Sequence, residues 1–319
     1  MRPEILLLGS GWVPEVDALL ESSFTCHRMA SVAAGERDAF IDGIRDRVRG
    51  VFTTGIIGID AALAAKLPAL EIVAVHGVGV DAIAFDALAP RGIPVTNTPD
   101  VLTEDVADLA VGLLLASSRR LPQLDRHVRA GAWEAKEPLR PARSLRGKVT
   151  GIVGLGRIGR AVATRLQGFG MAIRYFQRSK ADCPYQRSAS LLDLARESDY
   201  LVVCAPGGAA TRAMIDAAVL DALGAEGTLV NIARGSLVDE PALIAALSDG
   251  RLGAAALDVF ADEPRVPAVL RELDNVVLAP HVGSFTVETR TAMGMLALSN
   301  LQAHFAGEPL LTPVMPGSA

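Results

Sequence analysis

Runs of three to six apolar residues alternate along this chain with longer stretches in which Ala and Leu recur at helical spacing. In the first hundred residues the candidate strands are Ile5–Leu8, Phe24–Met29, Gly50–Thr53, Ile72–Val75 and Pro94–Thr96. Between them lie segments such as "PEVDALLESS" and "IDAALAAKL", patterned as amphipathic helices. The segment "NTPDVLTEDVADLAVGLLLASSRRL" carries a helix-start signal: Thr103 as N-cap, Glu104 and Asp105 in the first turn, then a long apolar run. A second series follows at Val149–Val153, Ala172–Phe176, Tyr200–Cys204, Thr228–Ile232, Ala254–Val259 and Val276–Leu278. Strands alternating with helices predict βαβ units, and nearly continuous apolar runs predict parallel sheets covered on both faces. Six strands in the second series is the count of a doubly wound dinucleotide-binding sheet. The final stretch, "VETRTAMGMLALSNLQAHFAGEPL", reads as a helix ending at Gly307 with no strand after it. The expected class is therefore α/β, with two doubly wound parallel-sheet domains.

Composition narrows the picture. The 319 residues suffice for two domains, and half of them are hydrophobic, so a sizeable core can be buried. A net charge of −5 argues against nucleic acid as a main partner, because phosphate backbones call for a basic field. Cys26, Cys183 and Cys204 are too few and too scattered for a disulfide framework or a zinc site, and no metal is expected. The apolar run at Ile5–Leu8 is too short for a signal peptide, and no stretch approaches the roughly 20 residues that span a bilayer. The expectation is a soluble, cytoplasmic protein with no membrane partner.

The clearest chemical signal is "VTGIVGLGRIGRAVATRL", an apolar strand leading into Gly154-x-Gly156-x-x-Gly159 and then a helix. Gly154 permits the tight turn, Gly156 clears the way for a pyrophosphate, and Gly159 lets helix and strand pack closely. Leu155, Arg157 and Ile158, between the glycines, are counted with them as cofactor contacts. At the end of the next strand a dinucleotide fold that takes NAD places an Asp or Glu for the ribose 2′-hydroxyl. Here "RYFQRSK" offers Gln177, Arg178, Ser179 and Lys180 and no acid. An Arg there meets a 2′-phosphate, which an acid would repel, so NADPH is the expected cofactor and NADH the weaker one.

Three further residues fall at the carboxyl ends of later strands: Arg234 after "GTLVNIA", Glu263 beyond "AAALDVFADEP", and His281 after "NVVLAP". Reduction of a 2-keto acid needs a cation for the carboxylate and carbonyl, a proton donor for the developing alkoxide, and a partner that keeps the donor charged. Arg, His and Glu are suited to those roles. Taken singly, each is also an ordinary surface or structural residue.

The motifs "VGLGRIG", "NIARGSLVDEPALIAAL", "GAAALDVFADEP" and "NVVLAPHVGS", with "LPALEIVAVHGVGVDAI" and "NTPDVLTEDVADLAVGLLL", occur in the order of the D-2-hydroxyacid dehydrogenase family, which the chain resembles over nearly its whole length. Within that family "YFQRSK", "RAGAW", "PHVGSFTVETR" and "PLLTPV" are most similar to the NADPH-dependent glyoxylate/hydroxypyruvate reductases, and equally to plant hydroxyphenylpyruvate reductases. The resemblance implies that His281 protonates the carbonyl as hydride arrives, that Glu263 holds and charges His281, and that Arg234 binds the keto acid. It also implies a carboxylate loop at Val78 and Gly79, Asp258 facing the nicotinamide carboxamide, and Thr103 near the ring. Pro206, Ile232, Ala233 and Gly283 complete the cofactor contacts. "CAPGGAAT" departs from the family's apolar-Pro-Leu-Thr wording after Pro206, so an adenine-side contact there loses its support.

The family's domain plan implies a flavodoxin-like substrate-binding lid domain of residues 1–99 and 286–319, into which a Rossmann domain, 100–285, is inserted. Hinges would lie near Thr98–Val101 and Ser284–Thr286. The family implies a homodimer, with Trp133 at or near the interface. Other readings stay open at this stage: a non-catalytic dinucleotide sensor, or a dehydrogenase of another hydride donor such as phosphite. Formate oxidation is disfavoured by Glu263, where that branch carries Gln.

Overall fold

The computed structural model describes residues 2–10 and 12–314. It divides into two compact units, Met1–Leu102 with Ser284–Ala319, and Thr103–Gly283. The divisions thus fall at 102/103 and 283/284, where the sequence reading drew them at 99/100 and 285/286. Among the described residues no helix is long and apolar enough to cross a membrane.

The discontinuous unit is built on β1 (Glu4–Leu7), β2 (Thr25–Arg28), β3 (Val48–Thr54), β4 (Ile72–His76) and β5 (Val95–Thr96). They form one parallel sheet in the order β2-β1-β3-β4-β5, the flavodoxin-like winding. Side chains alternate across a strand, so β1, β3 and β4, covered on both faces, are apolar along most of their length, while the edge strand β2 is polar and only partly buried. Leu6, Val51 and Val73 enter a core on one face with Ile41, Leu67 and Leu88. Ile5, Leu7, Phe52 and Ile72 enter the other, against Val16 and Leu20 and against Leu298 and Leu301 of the helix Val287–Ala306. That helix is capped by Thr286, whose side chain accepts from the Thr289 N–H, and it ends at Gly307 in a left-handed conformation.

The chain does not stop pairing there. Asn300, fully buried, accepts from the N–H groups of Leu311 and Thr312 and donates to the Thr312 hydroxyl. This folds the tail back so that Thr96 pairs antiparallel with Pro313, where the sequence reading ended the chain without a strand. The pairing is a single bridge and carries no apolar run of its own, so no periodicity announces it.

The second unit is built on β6 (Val149–Val153), β7 (Ala172–Phe176), β8 (Gln186–Arg187), β9 (Tyr200–Val203), β10 (Thr228–Asn231), β11 (Ala254–Leu257) and β12 (Val276–Leu278). All run parallel in the order β12-β11-β10-β9-β6-β7-β8. This is the doubly wound order, with seven strands in place of the expected six. The extra strand is β8, two exposed polar residues that no hydrophobic pattern marks. The helix Thr103–Ser118 packs on β10, β11 and β12 and on the helix Arg157–Gly168. Thr103 is its first helical residue and not its N-cap.

Winding reverses at β6, whose neighbours are β7 and β9, and the crevice outside the carboxyl ends of the strands is where such sheets take ligands.

Candidate active site

The glycine loop leaves β6 at that reversal, and its three glycines are needed for three different reasons. Gly154 has φ +89°, and a Cβ there would stand 2.8 Å from the backbone of Ala205. A Cβ on Gly159 would come within 2.2 Å of the Gly154 carbonyl oxygen, so helix and loop could not close up. A Cβ on Gly156 would meet no atom within 4 Å. Packing therefore does not require Gly156; a bare approach for a ligand does. The helix Arg157–Gly168 begins directly after it with no side-chain cap, and a helix N-terminus is a favourable place for an anion. This cradle fits a dinucleotide pyrophosphate. Leu155 turns its side chain into the core and donates its N–H to Gln177 Oε1 at 3.0 Å.

That bond holds the Gln177 side chain by its carbonyl oxygen against the glycine loop. Arg178, Ser179 and Lys180 follow as an exposed turn beyond β7, and Pro206 lies on the loop after β9. Arg165 ion-pairs with Glu104 and Asp108 at 2.7 and 2.6 Å, tying the first turns of the helix Thr103–Ser118 to the glycine-loop helix.

At the other end of the sheet, His281 Nδ1 and Glu263 Oε2 are 2.7 Å apart. Glu263 Oε1 accepts from the Phe260 N–H at 3.0 Å, so both carboxylate oxygens are engaged. Burial acts to raise the Glu263 pKa. The hydrogen bond and charge of His281, the Phe260 N–H and the charge of Arg234 outweigh it, and the carboxyl is held below its usual range. With Nδ1 on the carboxylate, Nε2 is the ring nitrogen left for chemistry.

His281 itself has φ +55°, a left-handed conformation costing an L-residue roughly 1–2 kcal/mol. Asp258 holds it there. The Asp258 carbonyl accepts from the His281 N–H at 2.8 Å, Oδ1 from Val282 at 2.8 Å, and Oδ2 from Gly283 at 2.9 Å. Desolvation raises the carboxyl's pKa, and the two N–H bonds only partly oppose this. Both Asp258 oxygens thus accept from the backbone of the His281 turn, a role beside the carboxamide contact that the family resemblance implies for this residue. Gly283 is packed in the same place, 3.2 Å separating a Cβ there from Asp258 Oδ2.

Arg234 follows β10 on a turn fastened by Asn231, which accepts from the Ala233 N–H at 3.1 Å and donates to the Arg234 carbonyl at 2.9 Å. Ile232 and Ala233 are largely buried beside it. Asn231 was missed in the sequence because an Asn ending a strand carries no signal beyond ordinary turn chemistry.

Residues 111–283 match the family model described as "D-isomer specific 2-hydroxyacid dehydrogenase, NAD binding domain". The chain belongs to the D-isomer-specific 2-hydroxyacid dehydrogenases. A glyoxylate/hydroxypyruvate reductase A of Arabidopsis thaliana is 52% identical over 281 residues, covering 88% of this chain and 90% of that protein. A hydroxyphenylpyruvate reductase of Plectranthus scutellarioides is 51% identical, covering 85% and 86%. Among solved structures, the NADPH-dependent glyoxylate/hydroxypyruvate reductase of Sinorhizobium meliloti, in complex with NADP and malonate, superposes with a TM-score of 0.89 at 43% identity, covering 98% of this chain and 97% of that one.

In this dehydrogenase Val78 and Gly79 lie in the discontinuous unit, on the loop after β4. Neither backbone N–H has a hydrogen-bond partner among the described residues, while the Val78 carbonyl accepts from Asn97 at 2.9 Å. Just before that loop His76 is buried between Trp12 and Phe52, with Nε2 3.3 Å from the Arg290 carbonyl oxygen. Burial lowers its pKa to about 4, so it is a neutral packing residue at ordinary pH. Trp133 is 67% exposed.

Proposed function

We propose that this dehydrogenase reduces small 2-keto acids, with hydroxypyruvate and glyoxylate foremost and aryl-pyruvates as bulkier candidates, to D-2-hydroxy acids, with NADPH preferred over NADH. The observation that carries the reading is the His281–Glu263 pair at 2.7 Å, on the same sheet as a glycine loop whose middle glycine packing does not require.

Reduced nicotinamide, when bound, supplies the hydride. His281 Nε2 gives a proton to the carbonyl oxygen as the carbon is reduced, so a C=O becomes a C–H and an O–H. Glu263, held ionised by its neighbours, favours the imidazolium needed before that transfer and fixes the ring through Nδ1. Arg234 offers the cation for the keto acid. Val78 and Gly79 supply N–H groups for its carboxylate. Gly154 through Gly159 seat the pyrophosphate; Arg178, Ser179 and Lys180 receive the 2′-phosphate; Asp258, Thr103, Pro206, Ile232, Ala233 and Gly283 border the remainder of the cofactor. Action as a homodimer is supported by the large apolar side chains concentrated on one segment, Leu121, Val128, Trp133 and Leu139, each more than half exposed.

The test is steady-state oxidation of NADPH and of NADH with hydroxypyruvate, glyoxylate and hydroxyphenylpyruvate. A clear kcat/KM advantage for NADPH, reversed by Arg178→Asp, is the expected result. Equal or better turnover with NADH would overturn the cofactor assignment, and no turnover of any keto acid would overturn the reaction.

A further inference from the structure

The turn that follows β7 is fastened by a residue on β8. Arg187 pairs in register with Tyr175, and its guanidinium reaches back along the turn. Nη2 donates to the carbonyls of Gln177 and Arg178, each at 2.9 Å, and Nε donates again to Gln177 at 3.3 Å. Both peptide bonds that follow those carbonyls are trans. In a planar trans peptide the C=O of one residue and the N–H of the next point in opposite directions. With the carbonyls of 177 and 178 held on Arg187, the N–H groups of Arg178 and Ser179 are therefore turned away from it. Neither has a hydrogen-bond partner among the described residues. The turn is closed at both ends as well. The Gln177 side chain is held by the Leu155 N–H, and the Tyr175 hydroxyl accepts from the Ala181 N–H at 3.1 Å.

We infer that Arg187 is a positioning residue for cofactor discrimination: by fastening two successive carbonyls it holds the N–H groups of Arg178 and Ser179 outward as a preformed two-donor seat for the 2′-phosphate. Consecutive N–H groups facing one side make an anion-binding concavity, and an anion approaching this one would otherwise meet carbonyl oxygens free to rotate toward it. Preorganisation of this kind raises affinity by removing the cost of ordering the turn on binding. The inference rests on the NADPH reading above and adds to it a residue that touches no part of the ligand.

Calorimetric titration of the full chain with NADPH and with NADH, without substrate, tests it. Arg187→Ala is expected to weaken NADPH by about tenfold, the loss of roughly one net charge-assisted hydrogen bond, while NADH stays within about twofold. Arg187→Lys keeps the charge but not the planar fork, so it should recover only a small part of the loss. Equal weakening of both cofactors, no change in either, or full rescue by Lys would each overturn the inference. Arg178→Ala separates it from the reading beneath. If that variant loses NADPH selectively and Arg187→Ala does not, only the role of Arg187 fails. If the wild-type chain shows no preference for NADPH, the cofactor reading fails and this inference falls with it.

Discussion

At the scale of single residues, the end of the sheet that carries His281 is governed by how acids are used. Glu263 spends one oxygen on His281 and the other on the Phe260 N–H, and is held below the ordinary carboxylate range. The sign follows from linkage. Its ionised form is favoured by folding, so that stabilisation is complete above the unfolded value near 4.3 and is lost as pH falls through the lower folded value. Glu263→Gln keeps a hydrogen bond but removes the negative charge beside His281 Nδ1. It should lower kcat by on the order of 100-fold, the lower end of general-acid contributions, with NADPH affinity little changed. The Tm difference between wild type and this variant should shrink between pH 7 and pH 3.5, and thermal unfolding across that range checks it. A gap that widens toward acid would contradict the pairing. Asp258 is the contrasting case, its two oxygens committed to backbone N–H groups and its carboxyl raised by burial.

Elements were legible in the sequence to the extent that they bury apolar side chains. Every strand with two covered faces showed as an apolar run, and the loop at Gly154–Gly159 showed because its glycines stand between such a run and a helix. β8 did not, because both of its residues are exposed and its place comes from main-chain pairing with β7. For the same reason Arg187 was invisible. What it binds are carbonyls nine and ten residues earlier, and nothing local distinguishes it from the other surface arginines. Arg234, Glu263 and His281 could be named because their residue types suit the chemistry, but the left-handed turn at His281 depends on Asp258, 24 and 25 residues before the N–H groups it binds, and Asn231 secures its turn by bonds two and three residues along that any turn Asn can make. The glycine loop offers a test at this scale. Gly156→Ala has open space and φ −76°, so Tm should hold while NADPH binding weakens by tenfold or more. Gly159→Ala forces its Cβ onto the Gly154 carbonyl and should lower Tm as well as binding. Thermal unfolding and cofactor titration of both variants distinguish ligand clearance from packing.

For the whole molecule, the two units differ in how the chain supplies them. Thr103–Gly283 is one continuous stretch with its own core and its own glycine loop. The other unit needs both ends of the chain, since one face of its sheet is covered by the helix Val287–Ala306. Residues 103–283 expressed alone should fold cooperatively and bind NADPH within about tenfold of the full chain, because that unit contains all the loop and turn residues assigned to the cofactor. Residues 1–102 alone should aggregate, with Ile5, Leu7, Phe52 and Ile72 deprived of Leu298 and Leu301. Circular dichroism, thermal melts and NADPH titration of the two fragments decide the point; a soluble, cooperatively melting 1–102 would show that the last helix is not needed for that core.

The tail that returns to β5 bears on how the molecule avoids its own kind. In the antiparallel pairing the Thr312 carbonyl and the Val314 N–H face inward, onto Asn97 and Val95. Alternation along the tail then turns the main chain of the residue between them outward, and that residue is Pro313. The rim of this sheet therefore presents a residue with no N–H, where a second chain adding itself edge to edge would look for a donor. One imino acid on this rung leaves a strand that would add edge to edge with an acceptor carbonyl and no N–H to meet it, which weakens the template such a strand would need.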